Sequence, residues 1–117
     1  MSGWVGVDLD GTLAEYDGIW HGPWHIGKPI KPMIDRIHSW IADGYEVRIF
    51  TARVSGEETD ARVAEKFIHK WLTEHLGFEL RVTCQKDYSM IELWDDRAVQ
   101  VKMNTGEPVG YSTRGLK

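Results

Sequence analysis

Cys84 is the chain's one cysteine, so no internal disulfide can form, and a reducing compartment such as the cytoplasm is the expected setting. No apolar run approaches the ~20 residues of a membrane span, so no membrane partner is expected. Met1-Ser2-Gly3 leads straight into an apolar segment, without the basic-then-apolar order of a secretory leader, so no signal peptide is expected. Basic residues are in deficit, 14 Lys and Arg against 18 Asp and Glu, for a net charge of -4. Tight non-specific binding to nucleic acid needs a basic surface. A nucleic-acid partner therefore stays open but is not indicated by the charge. Gly-x-x-x-x-Gly-Lys-Ser/Thr does not occur, which excludes P-loop chemistry. Internal repeats and low-complexity stretches are absent as well.

What is there fits one domain, residues 1–117, with 42% hydrophobic residues. Residues 4–9 are apolar without alternation, the pattern of a strand buried on both faces. Residues 14–31 carry Gly18, Gly22, Pro23, Gly27 and Pro29, which predict a loop or short flap. A helix is predicted from near Pro32, with Met33, Ile34, Ile37, Trp40 and Ile41 at helical spacing and Gly44 to end it. Residues 46–50 read as a second strand. Ser55 and Glu58 are spaced as a capping box for a helix over about 57–76, whose buried stripe would be Val63, Phe67, Ile68, Trp71 and Leu72. Strands follow at about 79–83 and 90–94. Val99, Val101 and Met103 alternate with polar residues before Asn104-Thr105-Gly106, then Val109 and Tyr111, which predicts a C-terminal β-hairpin. Residues 112–117 are expected to fray. Strands alternating with helices predict an α/β fold with a parallel central sheet.

Polar groups follow each apolar run. Asp8 and Asp10 close the first, Thr51 the second, Lys86 comes shortly after the third, and Asp95 and Asp96 close the fourth. In a parallel sheet those ends share one crevice. Asp8 and Asp10 are two apart, so at a strand end both side chains can face one reacting atom. One carboxylate can attack phosphorus and the other can move protons. Magnesium takes oxygen ligands, typically carboxylates, water and phosphate oxygens. Asp8 and Asp95 are the candidate direct carboxylate ligands, with Asp96 binding through water or orienting Lys86. The four acids would carry four negative charges, which Lys86 and a divalent cation largely offset. Thr51 and Lys86 are candidates to hold a phosphoryl group, with Gly11 allowing close backbone approach.

These segments resemble the haloacid dehalogenase (HAD) superfamily. Asp8-Leu9-Asp10-Gly11-Thr12-Leu13 looks like its first motif and Phe50-Thr51-Ala52-Arg53 its second. Lys86 stands where its third motif's lysine falls, and Leu93-Trp94-Asp95-Asp96-Arg97 looks like its fourth. The resemblance implies a Rossmann-like three-layer fold, with Asp8 as nucleophile and Asp10 as acid/base. It implies magnesium held by Asp8, the Asp10 backbone carbonyl and Asp95, with Gly11, Thr51, Ala52, Arg53 and Lys86 around the substrate. It further implies a phosphatase acting on a small phosphorylated molecule or a phosphorylated polymer end. Neither gap has room for the family's cap domain, so the resemblance is to a small capless member.

Several residues keep two readings. Lys28, Lys31 or Arg53 could supply the positive charge instead of Lys86. Tyr16, Trp20 and Trp24 either stack on a sugar or base or pack the flap on the body. His21 and His25 read as solvated or flap-packing residues, because Gly22 and Pro23 break any helix between them. Thr51 could simply cap a turn, and Cys84 reads as a structural thiol. A receiver module is disfavoured by the order of its acids. A catalytically quiet metal-binding scaffold of the same fold, or a polynucleotide-end phosphatase, remain as alternatives. Oligomeric state is not readable from the sequence.

Overall fold

The computed structural model describes residues 2–110, so the expected frayed tail and Tyr111 of the expected hairpin lie outside the described residues. Strand β1, Trp4–Asp8, is buried at its first four positions. Helix α1, Lys31–Ala42, has Pro32 in its first turn and buries Met33, Ile34 and Ile37. Trp40 and Ile41 are only partly buried against the core. Gly44, at φ +91, ends the helix in the left-handed region that favours glycine. Strand β2 runs Glu46–Phe50, helix α2 Glu58–His75, β3 Arg81–Thr83 and β4 Met90–Trp94.

The predicted capping box does not form. A 3-10 turn over Ala52–Val54 intervenes, the Ser55 hydroxyl donates to the Ala52 carbonyl, and α2 begins without a side-chain cap. The buried stripe of α2 also differs from expectation. It runs through Ala64, Ile68, Trp71 and Leu72, while Val63 faces water and Phe67 is half-buried.

The sheet order is β3-β2-β1-β4, with every neighbouring pair parallel. Each crossover from β1 through α1 to β2, and from β2 through α2 to β3, moves the same way across the sheet. Right-handed crossovers of that kind put both helices on one face. The packing agrees: Val5, Val7, Leu9, Val47 and Ile49 join residues of α1 and α2 in a single core cluster. His38 of α1 also donates to the carbonyl of Leu76 at the end of α2, at 2.8 Å. The arrangement is α/β and compatible with a Rossmann-like fold, but its two helices form one layer, not the expected two around the sheet.

Alternation sends Trp4, Gly6 and Asp8 to the other face. That face is covered by the segment 84–89, which returns from β3 to β4. The Trp4 indole N–H donates to Asp87 Oδ1 at 2.9 Å, and the Trp4 amide donates to the Ser89 carbonyl at 2.9 Å. The Arg48 guanidinium lies 4.4 Å from the Trp4 ring centroid and pairs with Glu46 and Asp87. Gly6 leaves room here, because a Cβ would meet Leu93 and Trp4 at 3.1 Å.

Beyond β4 the described residues form an antiparallel bridge between Val101 and Pro108, flanked by bonds from the Lys102 amide to the Glu107 carbonyl and from the Val109 amide to the Gln100 carbonyl, each 2.8 Å, with Asn104 and Gly106 at positive φ in the turn between. Val99, Val101 and Met103 are all exposed there, so among the described residues the alternation does not mark a buried face. Among the described residues no helix is long and apolar enough to cross a membrane.

Trp4 tests how the helix-free face is held. Trp4→Phe keeps the ring but loses the bond to Asp87 and should cost about 1 kcal/mol in urea unfolding. Trp4→Ala should cost about 3–5 kcal/mol.

Candidate functional site

The end of β1 is a tight turn. Leu13 and Ala14 amides both donate to the Leu9 carbonyl, at 3.0 and 2.9 Å, and the Gly11 amide donates to the Ala14 carbonyl at 2.8 Å. Gly11 sits at φ +91, and a Cβ there would lie 2.6 Å from Asp96 Oδ2. Glycine is therefore required twice over, by conformation and by the neighbouring carboxylate.

Register explains which acids meet. Val7 pairs with Trp94 across β1 and β4, so the next step along both strands sets Asp8 beside Asp95. Carboxylate oxygens of Asp8, Asp95 and Asp96 all lie within 4.8 Å of one another. The Thr12 hydroxyl sits between two of them, 3.4 Å from Asp8 Oδ2 and 3.2 Å from Asp96 Oδ1, and accepts from the Asp96 amide at 3.0 Å. The Arg97 amide donates to Asp95 Oδ1 at 2.7 Å. No cation pairs with these three acids among the described residues.

Asp10 is turned elsewhere. Arg53 grips it with two bonds, Nε to Oδ2 and Nη2 to Oδ1, each 2.8 Å. The Arg53 side chain is only 7% exposed. It also donates to the His25 carbonyl at 2.9 Å and lies 4.9 Å from the Trp20 ring centroid. Arg53 thus fastens the 14–31 loop to Asp10. Thr51 is buried, its hydroxyl accepting from the Arg53 amide at 3.2 Å, so it caps the 3-10 turn as well as facing the site.

A cleft of about 600 Å³ joins these groups. Asp8, Asp10, Thr51, Ala52, Arg53 and Asp95 border it, together with Tyr16, Trp20 and Arg97. Lys86 does not border it. That side chain is exposed and makes no ion pair or hydrogen bond among the described residues. The reason is topological: Lys86 lies on the segment that crosses the helix-free face, beyond edge strand β3. Two cationic side chains border the cleft instead, Arg53 and Arg97, of which Arg97 was visible only as the last residue of its motif. Asp96 belongs to the acid cluster but does not border the cleft, and the Asp10 carboxylate is not among the clustered three. Thr12, which bridges Asp8 and Asp96, was visible only as part of its motif. Cys84 contacts the Val54 carbonyl at 3.7 Å, which agrees with a structural thiol.

Electrostatics concentrates on Asp8. Burial, a hydrogen bond with Asp96 and the charges of Asp95, Asp96 and Asp10 push its carboxyl up from 3.8 to about 8. Oxygen donors gathered this closely could hold a metal cation, which would relieve the crowding.

No protein-family model matches the chain. A solved structure of a conserved protein from Bacteroides thetaiotaomicron superposes with a TM-score of 0.56 at 19% identity, over 85% of this chain and 79% of that one. At that identity the likeness shows a shared fold.

Two predictions follow from this geometry. The folded chain keeps a proton on Asp8 that the unfolded chain releases above about pH 4. The stability it contributes is complete below that value and is lost as pH rises through about 8. With a chelator present, melting temperature should fall as pH rises from about 5 to about 8.5, and Asp8→Asn should flatten that slope and melt higher at the alkaline end. Separately, Arg53→Ala should cost about 1.5–3 kcal/mol in urea unfolding and expose the 14–31 loop to limited proteolysis. Arg53→Lys should recover little of this, because an ammonium cannot make the two-pronged contact.

Proposed function

We propose that the protein is a magnesium-dependent phosphomonoesterase of HAD type, working through an aspartyl-phosphate on Asp8. The observation that carries this reading is the division of labour at one cleft. Asp8 gathers with Asp95 and Asp96 within 4.8 Å, while Asp10, two residues on, faces the same space in a separate pairing with Arg53.

Magnesium, held by Asp8 and Asp95 with Asp96 behind them, would offset the acid cluster and draw charge from a phosphoryl oxygen. An Asp8 oxygen attacks phosphorus as the bond to the ester oxygen breaks. Asp10 gives its proton to the departing oxygen. A water then attacks the phosphorus, loses its proton to Asp10, and the bond between phosphorus and Asp8 breaks to release phosphate. Both Asp10 oxygens accept from Arg53, so Arg53 loosens its grip on the oxygen that carries the proton. The Thr51 hydroxyl and the guanidinium of Arg97 hold phosphoryl oxygens, and Arg97 takes the part first assigned to Lys86. The 14–31 loop acts as a flap, and with no cap domain above it the cleft stays open.

Hydrolysis of an aryl phosphate tests the reading. Activity should require magnesium, vanish with chelator, and fall to background in Asp8→Asn. Asp10→Asn should lose about 10²- to 10⁴-fold in kcat. Turnover that survives in Asp8→Asn would overturn the nucleophile. Full inactivity of the wild type on every phosphate ester would favour the quiet scaffold.

A further inference from the structure

We propose that Tyr16 and Trp20 form a stacking wall for the alcohol half of the substrate, and that this alcohol carries a planar heteroaromatic ring, as in a nucleoside monophosphate. The inference rests on the phosphatase reading and narrows its substrate class. Both rings border the same cleft as Asp8 and Asp10. They remain 46% and 59% exposed, so a large part of each ring is not spent on packing the loop against the body. The Trp24 ring, also in this loop, does not border the cleft.

The position of Trp20 is fixed from behind. Its ring lies 4.9 Å from the Arg53 guanidinium, and that same guanidinium holds both oxygens of Asp10. One guanidinium thus touches both the indole and the Asp10 carboxylate, while more than half of the Trp20 side chain stays in water. A flat ring already backed by a cation, and open elsewhere, is suited to receive a second flat ring.

The size and polarity of the cleft point the same way. About 600 Å³ is far more than a phosphoryl group fills, and it lies within the range of small-molecule pockets. Acids, Thr51 and the arginines cluster where the phosphate would sit, and the aromatic pair supplies the wall beyond them. A hexose alcohol would bring several hydroxyls against that wall, where two rings offer few partners. A purine or pyrimidine would bring a π-face. The net charge of -4 favours a free nucleotide over a long polyanion.

The test compares a nucleoside 5′-monophosphate with a hexose 6-phosphate of equal charge, in wild type, Trp20→Ala and Trp20→Phe. The wild type should prefer the nucleotide in kcat/KM. Trp20→Ala should shrink that preference about tenfold, and Trp20→Phe should restore most of it. An oligonucleotide with one terminal phosphate, run beside the free nucleotide, separates the two sources of the same chemistry. Calorimetric titration with a non-hydrolysable nucleoside 5′-phosphonate reads the wall without turnover. Binding that weakens about tenfold in Trp20→Ala, from an enzyme that hydrolyses nothing, would uphold the wall and sink the phosphatase. No preference for the nucleotide over the hexose phosphate, equal losses on both in Trp20→Ala, or no phosphonate binding by wild type would overturn the wall.

Discussion

Crowding of like charge at the end of β1 is the constraint to which the rest of this site answers. A parallel register brings Asp8 and Asp95 side by side whether or not electrostatics favours it. The sheet is held by an apolar core of β1, β2, α1 and α2, and that core does not relax to separate two carboxylates. The chain can answer in two ways. Asp8 can hold a proton, which its upward shift to about 8 expresses, or a cation can enter. Both answers keep the acids together, and each makes the local charge depend on what occupies the cleft.

The single helix layer shapes access to that cleft. Asp8 shares its face of β1 with Trp4 and Gly6, on the side the helices leave bare. At the lower end of that face the 84–89 segment, Arg48 and Asp87 cover Trp4. At the upper end Asp8 opens instead onto the cleft bordered by the 14–31 loop and the turn after β2. A fold with helices on both faces would have to open a gap there. This one has the gap built in, and its short crossing segment is also what carries Lys86 away.

Legibility followed the range of the interactions. β1, β2 and β4 were readable because burial leaves near-continuous apolar runs, and Gly44 marked its helix end by a backbone requirement. β3 is shorter than its apolar run suggests. Leu80 gives its carbonyl to His69, at 3.2 Å, and falls outside the ladder. The capping box failed because Ser55 found a closer acceptor in Ala52. In the site, Asp8, Thr51 and Asp95 were readable because each stands at a strand end, where topology alone decides the neighbourhood. Lys86 and Arg97 were misjudged for the complementary reason: both lie in irregular segments, whose direction no periodicity encodes. The grip of Arg53 on Asp10 spans 43 positions and joins two such segments, so only coordinates could show it.

That grip joins three parts of the cleft through one side chain. Arg53 touches the Asp10 carboxylate, the His25 carbonyl and the face of Trp20 at once. An incoming phosphate dianion offers a guanidinium the same two-pronged partner that Asp10 does. On the proposed phosphatase reading, a shift of Arg53 toward phosphate would free an Asp10 oxygen for proton transfer and release one contact of the loop that carries Trp20. Loop, ring and acid thus share one guanidinium, and on the proposed reading a substrate that engages the ring and the phosphate end together would meet both through it.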